Sequence, residues 1–176
     1  VTALGGYAMT AVTALTAQNT LGVHAVETVS PEFIRAQMDC VLEDLGADCL
    51  KTGMLHHPYV IDAVVQSIDA NAPNTALVVD PVMVAQSGDR LVSDAALAHM
   101  KASLIPRAAL ITPNLPEAEA LLGTSIAGVD AMPEAAQALL ALGCSAVLLK
   151  GGHLSGQGEL VDILATSTGQ QIFRHS

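Results

Sequence analysis

The sequence predicts a mixed α/β domain on a mostly parallel sheet, and three observations carry that expectation. Short aliphatic runs alternate with helical patterns along the whole chain, the rhythm of strand-helix-strand units joined by right-handed crossovers. The composition is rich in Ala, Val, Leu and Gly, with no Trp, two Tyr and two Phe. Such small aliphatics suit strands buried on both faces. Several aliphatic runs also end on a polar residue beside Pro or Gly, as in Val79-Asp80-Pro81, Ile111-Thr112-Pro113-Asn114 and Leu149-Lys150-Gly151. At 176 residues, with no repeat, linker or internal boundary, a single domain over 1–176 is expected.

Taken in order, Ala8 to Ala17 is small and β-tolerant and reads as a strand leading into Gln18-Asn19-Thr20. Val23 to Val29 is a second extended stretch. Ser30-Pro31 is a helix start, with Ser as N-cap and Pro at the first helical position. Phe33, Ile34, Met38, Val41, Leu42 and Leu45 follow at helical spacing, and Gly46 closes the helix. Cys49-Leu50 is a short strand before Thr52-Gly53-Met54. A helix over Pro58 to Ala70 turns Ile61, Val64, Val65 and Ile68 inward. Strands over Ala76 to Val79, Ala109 to Ile111, Ala146 to Leu149 and Leu160 to Leu164 alternate with helices over Ser93 to Ser103, Pro116 to Leu122 and Pro133 to Leu142.

The formal net charge of −10 argues against a nucleic-acid binder, whose phosphate-tracking surface needs clustered Lys and Arg. It leaves a nucleotide ligand open, because a few local donors and a metal outweigh the global sign. Three cysteines, Cys40, Cys49 and Cys144, form no pair at metal-ligand spacing and read as buried thiols of a reducing, cytoplasmic compartment. No signal peptide or transmembrane run is recognised. Both ends, at Val1 and Ser176, look cut within a pattern.

Four candidate residues, Met54, Asp80, Asn114 and Lys150, follow the carboxyl ends of predicted strands, the edge at which open α/β sheets bind ligands. Asn114 and Glu117 set an amide and a carboxylate three residues apart where a helix begins. Asn-Leu-Pro is equally a common way to stop a strand and start a helix. Asp80 and Glu117 are oxygen donors of the kind that hold Mg²⁺ beside a phosphate; Asp before Pro is also an ordinary turn former. Lys150, followed by Gly151-Gly152-His153, brings a cation and two glycines whose N–H groups can approach a phosphate. The chain has neither a Walker A loop nor a GxGxxG. Gln18 offers the donor and acceptor that a heterocycle edge requires, or is a plain polar turn. Met54 is a flexible apolar wall or simply core. Ser87-Gly88-Asp89 is either a flap or a turn. His56 and His57 are adjacent and make a poor metal pair; His24, His99 and His175 read as isolated surface residues, and His153 as a weak site candidate.

Together these segments resemble one family. Gly5-Gly6-Tyr7-Ala8-Met9, Thr13-Ala14-Leu15-Thr16-Ala17-Gln18-Asn19-Thr20, Lys51-Thr52-Gly53-Met54-Leu55, Asp80-Pro81-Val82-Met83, Ser87-Gly88-Asp89, Thr112-Pro113-Asn114-Leu115-Pro116-Glu117-Ala118-Glu119 and Leu149-Lys150-Gly151-Gly152-His153 look like the hydroxymethylpyrimidine/phosphomethylpyrimidine kinases of thiamine biosynthesis, in the ribokinase-like superfamily. The resemblance implies a three-layer α/β/α sandwich and ATP- and Mg²⁺-dependent phosphorylation of 4-amino-5-hydroxymethyl-2-methylpyrimidine and then of its monophosphate. It assigns the aminopyrimidine edge to Gln18 and the ring wall to Met54. Asp80 and Glu117 fall to the Mg²⁺-phosphate site with Asn114 in support, and Lys150 to the nucleotide side. It also implies a homodimer.

Two expected segments of that family fall outside the chain: an N-terminal glycine-rich strand-loop before Val1 and a catalytic Gly-Thr-Gly-Cys segment after Ser176. Cys144 ends a predicted helix on the wrong side of its strand and does not replace that cysteine. No catalytic base is therefore expected within the chain, and the 176 residues alone are expected to turn over at background rate, which pyrimidine-dependent ADP release from this chain would refute. Ala8 stands where the family has Gly, and Gln86 where it often has Lys. A pyridoxal or pyridoxine kinase of the same superfamily is the alternative, since both substrates carry a hydroxymethyl group on a flat heteroaromatic ring. A catalytically dead pyrimidine-binding module and a plain α/β interaction domain are further alternatives.

Overall fold

The computed structural model describes residues 1–83, 91–152 and 160–175. Along the chain run β1 (Ala14–Asn19), β2 (Gly22–Thr28), α1 (Pro31–Asp44), β3 (Cys49–Thr52), α2 (Pro58–Asn71), β4 (Ala76–Val79), α3 (Asp94–His99), β5 (Leu110–Ile111), α4 (Leu115–Leu122), α5 (Met132–Leu140), β6 (Ala146–Lys150), β7 (Leu160–Thr166) and β8 (Gly169–His175). Local chemistry sets most of these boundaries. Ser30 Oγ accepts from the Phe33 amide at the start of α1, and Ser93 Oγ accepts from the Ala96 amide at the start of α3. Beyond α1 the chain turns at Gly46, whose φ of 68° is a conformation that side chains resist. After His99 the α3 helix widens into a π turn over Met100–Leu104.

Strands β3 to β8 form one sheet in the order in which the chain makes them. The pairs β3-β4, β4-β5 and β5-β6 are parallel, while β6-β7 and β7-β8 are antiparallel. Each parallel step is a crossover that carries a helix, and stepping always in one direction with right-handed connections lays those helices on one face. That face is the core. Leu77, Val79, Ile111, Val147, Leu149, Val161 and Ile163 are buried in a single cluster with Ile61 and Val64 of α2, Ala96 of α3 and Ala136 and Leu139 of α5. On the opposite face Val78, Leu110, Leu148 and Leu164 are only half-buried. The period of two along a strand thus separates a packed side from a lightly covered one.

The mixed α/β class and the mostly parallel sheet agree with the sequence. Several local expectations do not. The stretch before Ala14 is not a strand; β1 runs on to Asn19 and pairs antiparallel with β2 as a separate two-stranded sheet. β8 was not foreseen, because Gly169-Gln170-Gln171 breaks the aliphatic signal that marks the other strands. It is a surface strand held by its ladder to β7 rather than by burial. Phe33 and Leu45 sit at helical spacing yet are each 62% exposed, since α1 packs on α2 over a narrower stripe through Ile34 and Leu42. Cys40 and Cys49 are exposed thiols, and only Cys144 is buried. Two histidines are not isolated: His99 Nε2 lies 2.6 Å from Asp62, and His175 Nε2 lies 3.6 Å from Asp162. Nor is His56 a plain surface residue. Burial, with help from His57, lowers its pKa, and its Nε2 meets Thr28 Oγ1 at 2.8 Å. Gln86, Ser87-Gly88-Asp89 and His153 lie outside the described residues.

Candidate active site

Strand parity builds the site. Lys51 stands beside Val78 in the β3-β4 register, and Val78 beside Leu110 in the β4-β5 register. Two residues further along, Asp80 and Thr112 keep to the same side of the sheet. Ile111 pairs with Val147, so Leu148 and Lys150 of β6 face that side as well. Lys51, Asp80, Thr112 and Lys150 therefore converge at the carboxyl ends of the four adjacent strands β3 to β6, on the lightly covered face.

The contacts bear this out. Lys51 Nζ donates to Asp80 Oδ2 at 2.9 Å, and Lys150 Nζ stands 3.5 Å from Asp80 Oδ1. The backbone beneath is pinned by Asp80 N–H to the Thr52 carbonyl at 3.3 Å and Thr112 N–H to the Val79 carbonyl at 3.0 Å. Burial works against the Asp80 charge. The Lys51 hydrogen bond, the Lys150 and Lys51 charges and the Thr112 hydroxyl outweigh it, so the carboxyl sits below its usual pKa.

Asn114 and Glu117 form the neighbouring wall. Asn114 Oδ1 accepts from the Glu117 amide and Glu117 Oε2 accepts from the Asn114 amide, each at 2.9 Å, a reciprocal capping box at the start of α4. The structural reading of Asn-Leu-Pro-Glu is thus fully realised, worth about 1 kcal/mol of helix stability. It also fixes the Glu117 carboxylate with only 6% of the residue exposed. Burial raises its pKa, and the Asp80 charge adds to that, against the hydrogen bonds from the Asn114 and Met83 backbone and the charge of Lys150. Asn114 bridges to Lys150 across the end of the sheet, where Lys150 N–H donates to the Pro113 carbonyl at 2.9 Å. The Asp80 and Glu117 carboxylates are near enough for one charge to act on the other, both feel the charge of Lys150, and their oxygens are hard donors of the type that suits Mg²⁺ held by few protein ligands and by phosphate.

Gly151 has a different role from the one its sequence suggests. Its N–H donates to Asp162 Oδ1 at 3.0 Å, and a Cβ at this position would overlap the Val161 carbonyl oxygen. It lets the chain leaving β6 approach the backbone of its neighbour β7 closely at Val161, and its N–H is already taken.

The remaining candidates lie apart from this cluster. Gln18 is exposed on β1 next to a bulge at Ala17/Gln18, apart from the cluster of Asp80, Glu117 and Lys150. Met54 is half-buried, and its carbonyl accepts from Thr13 Oγ1 at 3.0 Å at the foot of the hairpin. The same foot is tied by Thr28 to His56 and by the Gln37 amide, which bonds both the N–H and the carbonyl of Val12. The hairpin that carries Gln18 is therefore anchored at one end and exposed along most of its length. Cys144 lies at the amino end of β6, away from the cluster, and burial pushes its thiol pKa up, which suits packing rather than base chemistry.

Lys51 is the site residue that sequence reasoning missed. In the sequence it is only a single cation inside a short strand; that it shares a face with Asp80 emerges from the β3-β4 register. The other candidates stand out by following strand ends, whereas Lys51 lies within its strand.

A phosphomethylpyrimidine kinase family model matches residues 1–176. The hydroxymethylpyrimidine/phosphomethylpyrimidine kinase of Bacillus subtilis is 45% identical over 158 residues, which is 90% of this chain; the chain spans 58% of that protein. The crystal structure of phosphomethylpyrimidine kinase from Clostridium difficile 630 superimposes with a TM-score of 0.87 at 41% identity, over 98% of this chain and 73% of that one. Bacillus subtilis pyridoxal kinase, solved with ADP, gives a TM-score of 0.84 at 31% identity, over 97% of this chain and 64% of that one.

Proposed function

Because this chain belongs to the phosphomethylpyrimidine kinase family, we propose that it serves an ATP-dependent phosphotransferase of thiamine biosynthesis, acting on 4-amino-5-hydroxymethyl-2-methylpyrimidine and its monophosphate. The observation that carries this reading is the meeting of Asp80, Glu117 and Lys150 at the carboxyl edge of the sheet. Phosphoryl transfer asks little covalent chemistry of a protein and much positioning and charge stabilisation. Lys150 then neutralises nucleotide phosphate. Asp80 and Glu117 are the residues that would hold Mg²⁺, directly or through water, and the metal would supply compensation of phosphate charge. Asn114 keeps Glu117 aimed by closing the capping box. Gln18 reads the aminopyrimidine edge from the hairpin and Met54 walls the ring from the hairpin's foot. A cytoplasmic homodimer completes the reading.

The lower identity to the pyridoxal kinase supports the pyrimidine over pyridoxal as acceptor. The test is ADP release from the longest natural reading frame that contains these residues, with Mg-ATP and either hydroxymethylpyrimidine or pyridoxal. Pyrimidine preference is the expected result; pyridoxal preference moves the assignment to the vitamin B6 kinases, and tight pyrimidine binding without turnover moves it to a sensor. In the same assay Gln18→Ala is expected to raise KM for the pyrimidine roughly tenfold, through loss of paired hydrogen bonds to the ring, with kcat changing less. An unchanged KM removes Gln18 from the ring edge.

A further inference from the structure

The two lysines on Asp80 are not equivalent. Lys51 is in hydrogen-bond contact with Oδ2 at 2.9 Å, from the strand directly paired with β4. Lys150 stands off Oδ1 at 3.5 Å and reaches from β6, beyond β5. Asp80 itself has little freedom, because its amide is tied to β3 and its side chain also faces the Thr112 hydroxyl. A carboxylate satisfied on one oxygen by a close ammonium pulls less on a second one. Without Lys51, the charge of Asp80 would fall on Lys150, which would close the remaining distance and become a poorer partner for any incoming anion.

We infer that Lys51 is a positioning residue: in the metal-free protein it keeps Asp80 occupied and so leaves Lys150 free to meet an anionic ligand. That the anion is a nucleotide phosphate rests on the kinase reading above; the coupling among Lys51, Asp80 and Lys150 does not.

The experiment separates the two. In the longest natural reading frame, without ligand or metal, the rate at which an N-hydroxysuccinimide ester acetylates Lys150 is followed by peptide mass spectrometry. Lys51→Met is expected to slow acetylation of Lys150 about twofold to fivefold, the range for partly exposed ion pairs. Lys51→Arg is expected to keep the original rate. In an Asp80→Asn background, Lys51→Met is expected to leave the rate unchanged, which a general loss of structure would not do. An unchanged Lys150 rate in Lys51→Met overturns the inference, as does an equal slowing with and without the Asp80 carboxylate. Calorimetry with ADP in the absence of metal then addresses the ligand. A similar weakening in Lys51→Met that vanishes in the Asp80→Asn background supports the inference. Equal weakening in both backgrounds makes Lys51 a direct phosphate contact and overturns it. Slowed acetylation in a protein that, with Mg-ATP, turns over neither hydroxymethylpyrimidine nor pyridoxal upholds the coupling and sinks the kinase reading alone.

Discussion

Replacing Gly151 by Ala is expected to destabilise the protein by about 3 kcal/mol or more. The new methyl group would overlap the Val161 carbonyl oxygen and press on the Met132 methyl at 3.2 Å. The first of these is backbone, so no rotamer change relieves it. The end of β6 would have to shift, and with it the Gly151 N–H bond to Asp162 and the position of Lys150. Gly152→Ala is the control. It has nothing within 4 Å of a Cβ, and its φ of 55° adds only the strain of a left-handed residue, about 1 kcal/mol. Urea unfolding of both variants provides the check. If Gly151→Ala lies within about 1 kcal/mol of the parent, the close approach of Gly151 to Val161 of β7 is not as described.

In the longest natural reading frame that contains these residues, Asp80→Asn is expected to lower kcat about 100-fold, the usual consequence of losing a charge placed to organise a transferring phosphoryl group. KM for the pyrimidine is expected to stay within about threefold, because Asp80 belongs to the phosphate side of the proposed site. The substitution keeps shape and removes charge, leaving Lys51 and Lys150 without the carboxylate between them. Steady-state kinetics with both substrates varied decides the matter. A kcat within a few-fold of the parent takes Asp80 out of the phosphate site, and a large rise in pyrimidine KM alone places it on the wrong substrate.

The helices and the parallel strands were legible in the sequence because their signals are local. Ser30 and Ser93 cap, prolines sit at first helical positions, and aliphatic runs stop at Asp80, Asn114 and Lys150. What was not legible depended on partners far along the chain. The stripe of α1 that meets α2 leaves out Phe33, a fact about helix crossing rather than spacing. β8 is polar and exists because β7 offers it a ladder. For the site, Asp80, Asn114, Glu117 and Lys150 could be foreseen as strand-end residues of one edge. Lys51 could not be weighed without knowing that β3 and β4 are neighbours in register. Gly151 carried the opposite ambiguity: a glycine beside a cation suggests an anion cradle, and only the path of β7 reveals steric necessity instead.

The parity that divides the sheet also divides its tolerance. Side chains on one side, such as Val79, Ile111 and Leu149, are fully enclosed, and each is committed to holding the domain together. Those on the other side include Lys51, Asp80 and Lys150, together with aliphatics that retain contact with solvent. The candidate site and the cohesion of the core thus fall to alternate residues of the same strands. A lineage can rework specificity at every second position while the intervening ones keep the domain folded. Drift in acceptor or nucleotide preference is therefore mechanically cheap in this architecture, and a comparison of variant chains would find change and constancy interleaved at single-residue pitch.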